Sequence, residues 1–105
     1  MITVTIIKNS DTYRGFNVRG HAGYADIGND IVCSAVSVLS INCINSIEEF
    51  TEDSISYGFD DGLLDFSFDD TVSKESELLM NSFVLGIQFI LEENGDYVRL
   101  LFKEE

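Results

Sequence analysis

The stretch Gly20-His21-Ala22-Gly23-Tyr24-Ala25-Asp26-Ile27-Gly28-Asn29-Asp30-Ile31-Val32-Cys33 brings the only histidine, three glycines and one of the two cysteines close together. A thiol attacks carbonyl carbon as its thiolate. A place in the first turn of a helix, beside a histidine that can become imidazolium, lowers the pKa of such a group. Cys33 is therefore the candidate nucleophile and His21 its acid/base partner, the pairing used in thiol-dependent acyl transfer. Asp30, Cys33 and Ser37 stand at i, i+3 and i+7 and share one stripe of a helix, which could line a site. Asp30 has two readings, an ordinary N-cap or a group that orients His21 or its loop. Ser37 either donates a hydrogen bond in the site or is simply a small helix residue. From periodicity alone, Cys33 could also be a packing residue.

The glycines permit turns or let a substrate backbone approach closely, and Gly23, Tyr24 and Gly28 belong to a loop over Gly20 to Asn29 whose part from Gly23 to Asn29 could close on substrate. Their spacing lacks G-x-x-x-x-G-K-[ST], so nothing points to a phosphate cradle. His21, Asp30 and Cys33 are all metal-ligand types, but a zinc site draws three or four ligands at recognisable spacing, and no second histidine or C-x-x-C pair exists. No metal and no cofactor is expected.

These residues need a scaffold. Met1 to Lys8 alternates as a strand, Asn9-Ser10-Asp11 turns, and Tyr13 to Arg19 returns and delivers the chain to Gly20. Ile31 to Phe50 holds no Gly or Pro and repeats Val32, Val36, Leu39, Cys43 and Phe50 at helical spacing, with Asp30 as N-cap. Cys43 falls on this buried face and Cys33 lies about a quarter turn off it, so Cys43 reads as a core residue. Ile55 to Phe59 and Leu63 to Phe68 flank the turn residues Asp60-Asp61-Gly62. A second helix spans about Ser73 to Glu93, capped by Ser73 without a full capping box, and Asn94-Gly95 stops it. Tyr97 to Phe102 is a last strand. The order ββαββαβ predicts an α+β fold: an antiparallel or mixed sheet with two helices packed on one face. Residues 1–105 are read as a single domain.

Ile31, Val38 and Ile41 lie off the main face of the first helix, and Met80, Val84, Ile87 and Leu91 surround the second. That surplus of apolar surface points to a homodimer burying a helix face, against the alternative of a small domain that is simply apolar outside. The net charge of -13 opposes direct nucleic-acid binding, which needs a cationic patch. Residues 51–105 carry 14 acids and 3 bases, against 5 acids and 3 bases in residues 1–50. The acidic half could attract a basic partner or simply keep the protein soluble. No cleavage signal or uninterrupted apolar run of membrane-spanning length is evident, and two cysteines are too few for a disulfide framework. A cytoplasmic protein without membrane association is expected.

The run Gly20 to Ala25, G-H-A-G-Y-A, followed by Gly28 to Ser37 in the pattern G-x-D-I-V-C-S-A-V-S, resembles the ribosomal-processing cysteine proteases of Firmicutes and related bacteria. The likeness extends more loosely over the whole chain, to the acidic hairpin, the second helix and the closing Asp96-Tyr97-Val98. It implies that His21 and Cys33 are catalytic, with Gly20, Asp30 and Ser37 on supporting motif positions. It also implies a homodimer of mixed α/β fold. The implied substrate is the N-terminal extension of a large-subunit ribosomal protein, number twenty-seven in the usual naming, cut after paired phenylalanines. Arg19 stands where relatives are expected to carry an acid or polar residue. A rival from another class is a non-catalytic, ribosome-associated peptide-binding module in which Cys33 merely packs.

Overall fold

A computed structural model describes residues 1–20, 27–60 and 62–105, with side chains in the first helix described from Ile31 onward. The elements are β1 (Ile2–Asn9), β2 (Thr12–Arg19), α1 (Ile27–Phe50), β3 (Ile55–Asp60), β4 (Leu63–Phe68), α2 (Lys74–Asn94) and β5 (Val98–Glu104). They form one five-stranded sheet in the order β3-β4-β2-β1-β5. The fold is α+β in the expected order ββαββαβ. The sheet is mixed: β1 runs antiparallel to β2 and parallel to β5, while β2–β4 and β3–β4 are antiparallel.

Alternation in β1 puts Ile2, Val4 and Ile6 on the helix side, where Phe16, Val18, Leu64, Phe66 and Val98 join them in a single core. The rings of Phe16 and Phe83 sit 4.4 Å apart between centroids, tying β2 to α2. A bulge explains why β2 alternates less cleanly. Ile7 pairs with Gly15 but Lys8 with Tyr13, leaving Arg14 as the extra residue. Arg14 donates to the carbonyls of Phe68 and Asp70 at 2.8 and 3.0 Å. Gly15 lies so close to β4 that a Cβ there would stand 2.2 Å from the Phe66 carbonyl oxygen.

The strands and α2 lie within one or two residues of the sequence reading, but α1 does not. It begins at Ile27, so Asp30 is inside the helix rather than its N-cap, and Gly28 belongs to the first turn rather than to a loop. Glycine and asparagine are poor helix formers and aspartate favours caps, so local preference misplaced the start. The buried face runs through Val32, Val36, Ser40, Cys43, Ile44 and Ile47, whereas Phe50 is exposed. By length and composition alone, Ile31–Phe50 is apolar enough to cross a membrane, but this face packs into the core. On α2, Met80, Val84 and Ile87 are buried, and the surplus is Leu78, Leu85 and Phe89 instead.

Ser73 caps α2 by accepting the Ser76 N–H at 3.1 Å, and the helix ends at Asn94 with Gly95 in a right-handed conformation. Behind the cap, Asp53 accepts from the Ser73 N–H at 3.0 Å, from the Ser73 hydroxyl at 2.7 Å and from the hydroxyl of buried Ser76. Burial pushes the Asp53 carboxyl up, but the hydrogen bonds from Ser76 and Ser73 outweigh it and hold the group below its ordinary range. A carboxyl depressed in this way adds stability above its unfolded pKa, and that stability is lost as pH falls through the lower folded value. Asp53→Asn should therefore cost about 1 kcal/mol in urea unfolding at pH 7, with the gap to wild type narrowing in acid. A gap that does not change with pH would rule out the charged cap.

Candidate active site

β2 ends at Arg19, opposite Leu63, and Val18 stands opposite Leu64, so the chain leaves β2 at the tip of the β3–β4 hairpin. Gly20 makes that exit. Its φ is +83°, and a Cβ there would meet the Met1 carbonyl oxygen at 2.5 Å. Only glycine takes this left-handed turn so close to another strand's backbone without strain. Gly20 thus has a backbone reason for its identity, and His21 follows it directly. His21, Gly23 and Tyr24 lie outside the described residues, as does the side chain of Asp30.

Cys33 is the seventh residue of α1, in its second turn. The helix-start field falls off within the first turn, so it acts ahead of Cys33 rather than on it. The N–H groups of Val32 and Cys33 are also taken: helical geometry directs them to the carbonyls four residues earlier.

The Cys33 side chain is half-buried and lies on the wall of a cleft of about 340 Å³, at the lower end of the range of about 300–1,000 Å³ for ligand pockets. The same face of α1 contributes Ser37 and Ile41, one and two turns beyond Cys33, with Val36 and Ser40 beneath. Ile2 and Val18 come from the sheet, and Phe59, Asp60, Gly62, Leu63 and Leu64 from the β3–β4 hairpin. The structure therefore brings Cys33 and Ser37 together on one wall, as the i, i+4 spacing requires. Ile41 and Phe59 were missed by sequence reasoning. Extending the Cys33–Ser37 stripe by four residues would have found Ile41, and the Ile55, Tyr57, Phe59 alternation would have pointed Phe59 toward the helix side.

Cys43 is the contrast. It is 4% exposed, with its Sγ 3.8 Å from the Met80 sulfur and 4.0 Å from the Leu79 carbonyl. Burial pushes its thiol up to about 12. Neither cysteine is in a disulfide. Among the described residues no cluster of three or more His, Cys, Asp or Glu could hold a metal ion.

A thiol opening on an apolar cleft, in a mixed α+β fold whose sole histidine follows the adjoining strand, fits the class of cysteine proteases. Comparison makes the assignment specific. The family described as cysteine protease Prp matches residues 1–99, and the chain belongs to that family. It is 30% identical to the ribosomal processing cysteine protease Prp of Staphylococcus aureus strain Mu50, over 98% of this chain and 100% of that one. The Bacillus subtilis protein of the same name is 26% identical over 95% of this chain and 96% of its own length. Among solved structures, the S. aureus protease Prp with a substrate peptide superposes with a TM-score of 0.90 at 29% identity, covering 98% of this chain and 100% of that one. The same S. aureus protease with a covalently linked product peptide gives 0.87 at 30% identity, with the same coverage. A protein of Streptococcus mutans gives 0.90 at 29% identity, covering 100% and 99%.

The two thiols should differ in reactivity. In the native protein near neutral pH, iodoacetamide is expected to modify Cys33 and leave Cys43 intact. A thiol pKa of about 12 leaves a thiolate fraction on the order of a thousandfold below that of a free cysteine. Both should react in denaturant. Equal native labelling by peptide mass mapping would contradict the separation of roles.

Proposed function

We propose that the chain is an endopeptidase that removes the N-terminal extension of a large-subunit ribosomal protein, number twenty-seven in the usual naming, cutting after paired phenylalanines. Cys33 is the nucleophile in this reading and His21 the acid/base. One observation carries it: Cys33 lies on the wall of an apolar cleft large enough for bulky side chains, in a chain matched to the Prp family over residues 1–99. The S. aureus relative with a covalently linked product peptide fits a reaction that passes through a bond to the enzyme.

His21 takes the proton of the Cys33 thiol, and the thiolate attacks the scissile carbonyl to form a tetrahedral adduct. The C–N bond then breaks as His21 returns the proton to the leaving amine, leaving a thioester on Cys33. Water, deprotonated by His21, attacks the thioester, releases the carboxylic acid product and regenerates the thiol. Ser37, one turn from Cys33, lines the cleft and bonds the substrate in this scheme. Asp30, one turn before Cys33, orients His21 in this scheme.

The enzyme acts as a homodimer in the same reading. Val38 on α1 and Leu85 and Phe89 on α2 border an apolar groove between the helices, and Phe89 is 74% exposed. A second copy would cover this surface, which is larger than an isolated exposed residue requires. Phe89→Glu should shift the protein to monomer in sedimentation, and an unchanged mass would refute this interface.

Cys33→Ala should abolish cleavage of a peptide spanning the junction, by a factor on the order of 10⁴ or more. His21→Ala should cost at least about 100-fold. Mass measurement of products from the ribosomal precursor is the direct check. Wild-type rates in the Cys33→Ala variant would eliminate the nucleophile assignment.

A further inference from the structure

β3 is an outer strand of the sheet, and the exposure of its side chains on the helix side is unusual. Phe59 pairs with Leu64 and Tyr57 with Phe66, so both aromatic rings project on the face that holds the core. Leu64 and Phe66 are buried, whereas Phe59 is 64% exposed. The neighbouring Tyr57 hydroxyl reaches Glu48 of α1 at 3.5 Å, which brings β3 alongside the helix. Farther along the strand, the space between β3 and α1 is open, and Phe59 and Ile41 line it from opposite elements. Ile41 is 40% exposed and stands two turns beyond Cys33 on the same stripe.

An exposed aromatic ring on β3 and an exposed aliphatic side chain on α1, lining one cleft with the Cys33 thiol on the α1 wall, make a place for a flat apolar group. We infer that Phe59 and Ile41 are specificity-determining residues that hold an aromatic side chain of the substrate beside the scissile bond. This rests on the reading of Cys33 as nucleophile and adds the part of the protein that selects the residue at the cut. Ring-on-ring contact favours an aromatic over an aliphatic side chain of similar bulk by roughly two- to tenfold, because the quadrupoles add to simple burial. The shallow end at Phe59 imposes the preference, and the deeper walls of Val18, Val36 and Leu64 supply burial. Phe59 is exposed and outside the core, so truncating it leaves the fold in place.

The test separates binding from turnover by using the Cys33→Ala protein and labelled peptides with Phe, Leu or Ala at the position before the cut. On Cys33→Ala, the Phe peptide should bind roughly tenfold or more tighter than the Ala peptide, and also tighter than the Leu peptide. Adding Phe59→Ala should remove the Phe-over-Leu margin and weaken the Phe peptide on the order of tenfold. Phe59→Leu should leave the Leu peptide's affinity nearly unchanged while the Phe peptide falls to the same level, and Ile41→Ala should weaken all bulky peptides alike. In otherwise wild-type enzyme, Phe59→Ala should raise KM with kcat changed by less than about threefold. An unchanged Phe-over-Leu ratio in Phe59→Ala, with an unchanged melting curve, overturns the inference even if the enzyme cuts normally. Binding selectivity lost on Phe59→Ala, in a protein whose wild type cleaves no peptide, would uphold it and sink the protease reading alone.

Discussion

Everything in this fold hangs on β1 being paired on both sides. Its left and right neighbours come from opposite ends of the sequence, with β2 joined by a tight turn and β5 arriving more than eighty residues later. The parallel register from Ile2–Val98 to Lys8–Glu104 is reinforced at its ends by the Ile2 N–H to the Tyr97 carbonyl and the Glu105 N–H to the Lys8 carbonyl, both 2.8 Å. Burying Ile2, Val4 and Ile6 on one face commits β1 to a single register, since a slip by one residue would turn all three toward solvent. The cleft depends on that commitment. Ile2 is part of its wall, and the Met1 carbonyl fixes the space in which Gly20 turns.

Two different physical demands meet where β2 ends. The backbone must leave the sheet through a left-handed glycine pressed against a neighbouring strand, and α1 must present a thiol to the space left behind. Helix packing meets the second demand by dividing the cysteines. Cys43 is pressed among sulfur and apolar neighbours, where ionisation is unfavourable, while Cys33 stands off the core stripe and opens on the cleft. One helix thus carries a thiol that is kept neutral and another that is accessible. Their angular separation on the helix decides which is which.

Much of this was legible in the sequence because its signals were local. The period-two patterns of β1 and β4, the turn signal between β3 and β4 and the Ser73 cap each rest on a few neighbouring residues. The start of α1 was not legible, because Gly28, Asn29 and Asp30 all speak locally for a loop and the chain is helical there nonetheless. The parallel β1–β5 pairing was open for a different reason: nothing in either strand alone names its neighbour. The thiol and its stripe could be read, but not the cleft around them, which takes side chains from five elements. Phe50 shows the same limit, since its helical spacing matches the core face and yet its side chain is exposed at the helix end.

The parallel closure of the sheet also has a meaning in time. Ribosomes deliver β1 first and β5 last, and until β5 arrives the outer edge of β1 has no strand beside it and the floor of the cleft is unsupported on that side. The last support for the β1 side of the cleft therefore comes with the seventh element. The β1–β5 pairing joins strands from the two ends of this order, so it is a non-local contact whose loop-closure entropy comes before its reward, and β1 gains its second neighbour late in folding.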